Sequence, residues 1–206
     1  MSQSAHNTRA WVEIDLPALD RNVGRIKQSL PKHVRYVAVV KADAYGHGMP
    51  EVITRLLQAG VDTFAVANVA EASRLREISP DADILLLSPT LNNEIPRAIE
   101  LGLDITLNSL EEVEAVVRVA HSMSLKARVH VKVDTGMGRS GVWHEYAEEV
   151  FKKVGSANSI HWRGVYTHFS DADTDTEYTL KQRTIFLTLV EKIPSETRKR
   201  LLIHAD

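Results

Sequence analysis

The sequence predicts an α/β fold, a (β/α)8 TIM-like barrel that is truncated after the start of the seventh strand. Short β-branched runs alternate with amphipathic segments of helix length along nearly the whole chain. Strands that are separated by helices form right-handed parallel βαβ units. Seven strands with six intervening helices at regular spacing therefore fit a barrel that is one strand short of closure. A doubly wound open sheet is the alternative arrangement of the same elements.

The strands are predicted from short apolar runs that are rich in β-branched residues. They cover Val34–Val40, Thr63–Ala67, Ile84–Ser88, Asp104–Leu107, Arg128–Val133, His161–Thr167 and Leu201–His204. The helices have apolar residues at three- and four-residue spacing and end near glycine, proline or a polar cap. They cover Pro17–Leu30, Pro50–Ala59, Ala70–Ile78, Asn92–Leu101, Leu110–His121, Glu145–Lys153 and Glu177–Lys192. Ahead of the barrel, Trp11–Ile14 alternates in the way of an edge strand.

The composition excludes several classes of protein. The 206 residues suffice for one sizeable domain, and basic and acidic residues are interspersed at a net charge of −2, which gives no basic face for a nucleic acid. The absence of cysteine excludes disulfides and thiolate zinc sites. Residues 1–9 are polar, unlike a signal peptide, and no apolar run is long enough to span a membrane. We expect a cytoplasmic protein without a membrane partner.

The chain divides into a short leading segment, residues 1–16, and the incomplete barrel, residues 17–206. A barrel that stops at Asp206 has two open sheet edges and exposes apolar interior surface. We therefore expect more chain to follow Asp206.

The segment Val37-Ala-Val-Val-Lys-Ala-Asp-Ala-Tyr-Gly-His-Gly48 places a lysine directly after an apolar strand. Lys41 is therefore expected at the C-terminal mouth of the barrel, where active sites of this fold lie. Partial burial there would lower the pKa of an ammonium group and free the amine to form a Schiff base. The other interpretation is a solvated lysine at a strand end, followed by a glycine turn. Position alone favours this second interpretation.

Three glycines, Gly136, Gly138 and Gly141, follow the fifth strand with the spacing of a dinucleotide-binding loop. The loop does not open the fold, no acidic residue lies about 20 positions further on, and bulky Arg139 occupies the turn. Dinucleotide binding is therefore not expected.

Both segments resemble signatures of the alanine racemases. KADAYGHG after a VAVV strand is similar to the cofactor-lysine motif of that family, and HVKVDTGMGRSG is similar to its second motif. Many members carry Asn in place of Asp43. The likeness extends from Trp11-Val-Glu-Ile-Asp-Leu16 to Leu202-Ile-His-Ala205.

The resemblance implies roles for particular residues. Lys41 would hold pyridoxal 5'-phosphate as an internal aldimine and serve as one of two catalytic bases, and Tyr45 would hydrogen-bond the phosphate. Arg139 would contact the phenolic oxygen of the cofactor and the substrate carboxylate, a bidentate task that suits a guanidinium. Lys132 matches a lysine that is carbamylated in many racemases; an inward-facing lysine paired with Asp134 is an equally good interpretation.

His168 in Gly164-Val-Tyr-Thr-His-Phe169 matches a histidine that orients an arginine on the pyridine nitrogen. That arginine would lie beyond Asp206. The aspartates Asp171, Asp173 and Asp175 match only part of a calcium loop, so we expect Asp175 or Thr176 to cap the next helix and predict no metal site. The histidines at other positions show no metal-site spacing, and most are expected at the surface: His6, His33, His121, His130, His144 and His161.

The resemblance implies interconversion of L- and D-alanine in the cytoplasm, which supplies D-alanine for peptidoglycan precursors. In the family the second base is a tyrosine from a C-terminal β-domain, delivered by the partner subunit of a homodimer. The β-domain is absent from this chain, and residues 1–16 would carry a strand that packs on it. The fragment alone is expected to be inactive. One alternative is a single-domain pyridoxal-phosphate-binding protein that carries or buffers cofactor without catalysis, and a barrel enzyme that does not use pyridoxal phosphate is another.

Overall fold

The computed structural model describes residues 9–205. His6 and the first half of the leading segment lie outside the described residues, as does Asp206. Within the described range no helix has both the length and the apolar character that are needed to cross a bilayer.

The described strands form one sheet in which every hydrogen-bonded pair is parallel. They are β1 (Ala38–Val39), β2 (Thr63–Val66), β3 (Asp83–Leu86), β4 (Asp104–Leu107), β5 (Ala127–Asp134), β6 (Val142–Trp143), β7 (Ile160–Thr167) and β8 (Leu202–Ala205). The order is β1-β2-β3-β4-β5-β7-β8, and the short β6 pairs with the end of β5. Sequential order with parallel pairing confirms the predicted barrel arrangement and excludes the doubly wound alternative, which reverses the strand order.

Helices connect most of the strands and cover the outer face of the sheet. They are α1 (Leu16–Ser29), α2 (Lys41–Tyr45), α3 (Met49–Gln58), α4 (Val69–Ile78), α5 (Ile95–Glu100), α6 (Leu110–Ser122), α7 (Ala147–Ser156), α8 (Thr176–Glu191) and α9 (Ser195–Arg198), with a 3-10 turn at His144–Tyr146. Polar caps begin several of them, because Asp15, Asn68, Ser109 and Asp175 each accept a backbone N–H of the first turn.

Side-chain bonds between strands that are not neighbours show how strongly the sheet curls. Arg163 on β7 donates to Asp83 on β3 across a distance of 2.8 Å, although β4 and β5 lie between these strands. Similarly, the hydroxyls of Thr106 on β4 and Tyr166 on β7 are 2.9 Å apart on the inner side of β5. The parallel sheet is therefore a partial barrel with a polar interior lining.

The amino ends of the strands carry an ionic layer. Arg128 binds Asp104 through Nε at 2.8 Å and through Nη2 at 2.9 Å, and it also contacts Asp83. Burial alone would raise the pKa of Asp83, but the hydrogen bond from Arg128 and the charges of Arg128, Arg163 and Arg35 hold it below its usual range. This layer links β3, β4, β5 and β7 at the end of the barrel that lies away from the candidate site.

The sheet is open between its first and last strands. Within the described residues β1 pairs only with β2, and β8 pairs only with β7. A cavity of about 510 Å³ lies between the two edges, and Val37, His130 and His204 are among the residues that line it.

Several expectations from the sequence are wrong in detail. Trp11–Ile14 forms no strand within the described chain; Trp11 and Val12 are exposed, and the Trp11 indole donates to Glu13. The packing of a strand of residues 1–16 on a β-domain stays a prediction. The first barrel strand is limited to Ala38–Val39 because it pairs on one side only. His130 is not a surface residue, since it is 3% exposed inside the barrel.

Candidate active site

Three of the residues singled out in the sequence follow strand ends on the same rim. Lys41 comes after β1, Arg139 after β5 and His168 after β7. Because all these strands are parallel, their carboxyl ends lie together at the mouth of the barrel. Lys132 lies one layer deeper, inside β5.

The backbone that follows Lys41 makes an unusual left-handed helical turn. Four consecutive residues without glycine, Ala42 to Tyr45, have φ angles between 51° and 56°. A left-handed conformation costs about 1–2 kcal/mol per residue for side chains with a Cβ. Such strain is concentrated at functional sites, where surrounding contacts impose it.

Side chains from α4 and from the turn itself hold this backbone. The two carboxylate oxygens of Glu71 each accept one backbone N–H at 2.8 Å, from Ala42 after β1 and from Ala67 after β2. Asp43 accepts the N–H of Met49 at 3.0 Å and lies 3.5 Å from the Arg74 guanidinium. An asparagine at position 43 would offer the same acceptor to Met49, so the departure from the common family residue preserves this contact.

Lys41 and Tyr45 come together at the turn. The Lys41 ammonium is 5.9 Å from the centre of the Tyr45 ring, and Lys41 is half-buried while Tyr45 is 58% exposed. Arg139 is exposed as well. Within residues 9–205 neither the Tyr45 hydroxyl nor the Arg139 guanidinium makes a hydrogen bond, so both are available to a ligand at the rim.

The glycine loop after β5 is organised by Asp134. Its carboxylate accepts the N–H of Gly136 at 2.9 Å and the N–H of Gly138 at 2.9 Å. Since these amides are occupied, the loop does not present them to a phosphate as a dinucleotide loop would. At the far end of the loop, Ser140 accepts a hydrogen bond of 2.9 Å from Lys132.

Lys132 faces the barrel interior, as one of its two interpretations expected. It is 6% exposed, and its ammonium is 5.5 Å from the centre of the Tyr166 ring. The carboxylate of Asp134, its expected partner, is used by the loop amides. Ser140 stands next to Arg139 in the sequence, so Lys132 anchors the segment that carries the arginine.

Beneath Lys132 lies a cluster of three rings, in which His130 lies edge-on to Tyr166 and His204. Tyr166 and His204 are parallel with centres 4.7 Å apart, and His204 shares a hydrogen bond of 2.9 Å with His130. Burial lowers the pKa of His130 to about 3, with the charges of Arg163 and Arg128 acting in the same direction and Asp83 opposing them. His130 is therefore neutral at physiological pH.

Gly164 makes room for the His130 ring of this cluster. A Cβ at position 164 would lie 2.4 Å from the His130 ring and 2.7 Å from the Leu202 carbonyl oxygen. A glycine is therefore required where β7 passes the imidazole of β5.

His168 is half-buried at the end of β7, and its carbonyl accepts a hydrogen bond from the side chain of Gln182 at 3.3 Å. In the acidic run that follows, Asp175 caps α8 by accepting the N–H of Tyr178 at 2.9 Å, which confirms one of the two predicted caps. Within the described residues no group of three or more His, Asp or Glu side chains is arranged to hold a metal ion.

Reasoning from the sequence missed three residues that support the site: Glu71, Tyr178 and Gln182. Glu71 follows Asn68 by three residues, the spacing of a capping box, which was a usable signal. Tyr178, Gln182 and Phe186 recur every four residues on α8, which marks one helix face and places two polar side chains on it.

Comparison with known proteins identifies the family. The alanine racemase N-terminal domain family matches residues 14–206. Alanine racemase 1 of Oceanobacillus iheyensis is 40% identical over 191 residues, which are 91% of this chain and 50% of that protein. The alanine racemase of Methanococcus maripaludis is 36% identical over 185 residues, again with 50% of its length covered. This chain thus spans about half the length of the curated relatives it matches.

Solved structures agree in fold. The alanine racemase of Clostridium difficile 630 superposes with a TM-score of 0.89 at 34% identity, over 97% of this chain and 52% of that one. A Bacillus anthracis alanine racemase, described with bound L-Ala-P, has a TM-score of 0.85 at 34% identity and is covered to 51%, against 95% of this chain. Together with the match over residues 14–206, these likenesses show that the chain belongs to the alanine racemase family.

Proposed function

We propose that this chain is the cofactor-bearing half of a pyridoxal-phosphate-dependent racemase that interconverts L- and D-alanine. The observation that carries the proposal is the position of Lys41: a half-buried amine at the barrel mouth, directly before a strained left-handed turn. The 40% identity to an alanine racemase supports the reaction class, an isomerisation of a small amino acid.

The residues at the rim fit pyridoxal 5'-phosphate. Lys41 offers the amine for covalent attachment, and the Tyr45 hydroxyl and the Arg139 guanidinium are donors with no hydrogen bond in the described range. These donors suit a phosphate and a phenolic oxygen, which both accept hydrogen bonds. When bound, the cofactor supplies an electron sink that stabilises the negative charge left at the substrate α-carbon.

The protein's own residues would then divide the remaining work. Lys41 takes or returns the α-proton on one face of the substrate through its amine. Arg139 receives the substrate carboxylate with two parallel N–H donors. Lys132 holds the Arg139 loop through Ser140; carbamylation of Lys132, which would replace the ammonium by an anion, is tested by carbon-13 NMR of the folded protein in labelled bicarbonate, because the carbamate loses CO2 in acid. His168 would orient an arginine from chain beyond Asp206.

Racemisation needs a second base on the opposite face of the substrate. Among the described tyrosines, Tyr166 is buried and bonded to Thr106, and Tyr178 is bonded to Gly136. Tyr45 lies beside Lys41, on the side of the first base. As the resemblance to the alanine racemases implies, we propose that the second base is a tyrosine from outside residues 9–205, delivered by the partner subunit of a homodimer, and that the fragment alone is inactive.

Alanine is the proposed substrate because the alanine racemases are the more similar relatives. A histidine racemase from Leuconostoc mesenteroides subsp. sake shares the fold with a TM-score of 0.83 at 26% identity. This barrel half is therefore compatible with racemases of different substrates, and serine and histidine belong in the assay beside alanine.

The test is covalent labelling of the encoded protein, including any residues that follow Asp206. The protein is incubated with pyridoxal phosphate, reduced with borohydride and digested, and the modified peptide is identified by mass spectrometry. We expect the label on Lys41 and its loss in Lys41→Ala, because Lys41 lies at the rim beside Tyr45, whose hydroxyl can hold the cofactor next to the amine. Lys126→Ala changes an exposed lysine next to the start of β5, at the other end of the barrel, and serves as the control.

Racemisation is then measured with each enantiomer of alanine. A label on other lysines, or equal labelling in wild type and Lys41→Ala, would contradict both the racemase and the non-catalytic carrier. A label on Lys41 without racemisation of any amino acid tested would favour the carrier.

A further inference from the structure

The two site loops are held by one helix, although they follow different strands. The first loop, residues 135–141, carries Arg139, and the second begins at His168. Gln182 of α8 is fully buried, and its Nε2 donates to the Thr135 hydroxyl at 3.2 Å and to the His168 carbonyl at 3.3 Å. One side chain thus bridges the ends of β5 and β7.

The remaining bonds of Gln182 fix the orientation of its amide. Its Oε1 accepts the N–H and the hydroxyl of Ser170, both at 3.1 Å. The His168 carbonyl can only accept a hydrogen bond, and the backbone N–H of Ser170 can only donate one. The amide nitrogen of Gln182 therefore faces His168, and its oxygen faces Ser170. Both donors and both acceptor positions of the amide are used. Thr135 continues the chain of bonds to the Thr167 hydroxyl at 2.8 Å.

One helical turn earlier, Tyr178 holds the same loop from the same helix face. Its hydroxyl donates to the Gly136 carbonyl at 2.9 Å. A Cβ at Gly136 would lie 2.3 Å from that hydroxyl, so the glycine allows the close approach. The Asp175 carboxylate accepts the N–H of Tyr178 at the start of the helix, and this bond fixes the position of the tyrosine backbone.

Apolar side chains also dock this helix on the barrel. Phe186, Leu189 and Val190 on α8 are 4–6% exposed and bury its apolar face. Placing a primary amide in the interior is unfavourable unless every bond is made, whereas a fully satisfied amide specifies one geometry. The pair is therefore suited to fixing the geometry of the two loops.

We propose that Tyr178 and Gln182 are positioning residues, which hold the loop of residues 135–141 so that Arg139 is aimed at the substrate carboxylate. The role assigned to Arg139 rests on the proposed function, while the holding of the loop does not. Neither residue touches the reacting atoms; both act through the backbone of the loop.

The experiment compares Gln182→Met and Tyr178→Phe with Phe186→Leu in the encoded protein. The first two changes keep much of the side-chain volume and remove the polar contacts, and the third weakens packing on the same helix. Hydrogen exchange is followed by mass spectrometry in peptides that cover residues 135–141, where Gly136 and Gly138 donate to Asp134. We expect exchange there to become about tenfold faster in the first two variants, the effect of losing one hydrogen bond.

In the same variants the KM for alanine should rise about tenfold, with a smaller change in kcat. The reason is that a loosened loop weakens binding of the substrate carboxylate more than it affects proton transfer. Phe186→Leu should lower the Tm and leave both the exchange of this loop and the KM unchanged.

Unchanged loop exchange in both Gln182→Met and Tyr178→Phe would overturn the inference, whatever the activity. Faster exchange with an unchanged KM would overturn the link to Arg139. If the wild type does not label on Lys41, the proposed function fails, and hydrogen exchange still decides whether the helix holds the loop. If one variant does not fold, the other gives the answer.

Discussion

At the scale of single residues, the surroundings decide the chemistry of a group more than its type does. His130 lies in the middle of β5 and His168 directly after β7; His130 is enclosed by rings and arginines, whereas His168 lies at the rim. A sequence shows which strand carries each imidazole. It does not show that Gly164, 34 positions later, provides the space for the His130 imidazole inside the barrel.

The buried His130 makes the stability of the protein sensitive to acid. In the unfolded chain His130 binds its proton near pH 6.5, whereas burial lowers the pKa in the folded protein to about 3. Between these values the unfolded state holds more protons, so the free energy of unfolding falls as the pH falls, by up to about 1.4 kcal/mol per pH unit. Above pH 6.5 this contribution is fully present.

Urea unfolding of the encoded protein at several pH values measures this dependence. His130→Gln should unfold with a shallower dependence on pH between 6.5 and 4, because the amide does not titrate and can still bond His204. His33→Gln, which changes an exposed histidine, is the control. Equal pH dependence in wild type and His130→Gln would show that another group is responsible.

At the scale of elements, α4 shapes the turn that presents Lys41. Helices begin with a cap, and Asn68 with Glu71 is such a start. The same carboxylate also reaches the N–H of Ala42 in another loop, which joins the ends of β1 and β2. The carboxylate that the sequence places at the start of a helix thus also holds the backbone of the site.

Removing the Glu71 carboxylate should release the left-handed turn. We expect Glu71→Ala to lower the free energy of unfolding by about 2 kcal/mol, because two N–H groups lose a charged acceptor. Glu71→Gln keeps one acceptor oxygen and should lose less. Glu77→Ala on the same helix changes an exposed carboxylate and should have almost no effect. Labelling of Lys41 by pyridoxal phosphate should become slower in the order wild type, Glu71→Gln, Glu71→Ala. Equal labelling rates would show that the turn does not control the reactivity of Lys41.

Most elements could be predicted from the sequence because their patterns are local. The strand at Asp104–Leu107 matches residue for residue, and the helix over residues 110–121 is only one residue longer in the structure. The left-handed turn at residues 42–45 could not be predicted, since alanine and tyrosine disfavour it and aspartate adopts it only as a single residue. Contacts such as those of Glu71 and Asp43 impose it. The motif of the site was visible, but its support from α8 depends on packing between distant segments.

At the scale of the whole molecule, the two ends of the barrel serve different purposes. The carboxyl ends of the strands carry Lys41, Arg139 and His168, and the amino ends carry the layer of arginines and aspartates. In this fold the active site lies at the carboxyl ends of the strands, whereas the amino ends contribute to stability. The interior rings of His130, His204 and Tyr166 lie between the two layers.

This separation predicts that stability can be lost without loss of the site. Asp104→Ala removes the carboxylate that binds Arg128 through two hydrogen bonds. The loss should lower the free energy of unfolding by about 2–3 kcal/mol. This value is near the lower end of the range for breaking a buried ion pair, because the Arg128 side chain is 28% exposed. Asp81→Ala removes an exposed carboxylate near the same layer and should cost far less. Both variants should label on Lys41 with the wild-type rate at temperatures where they are folded, because the rim does not use Asp104. Slower labelling in folded Asp104→Ala would mean that strain passes through the interior rings from one end of the barrel to the other.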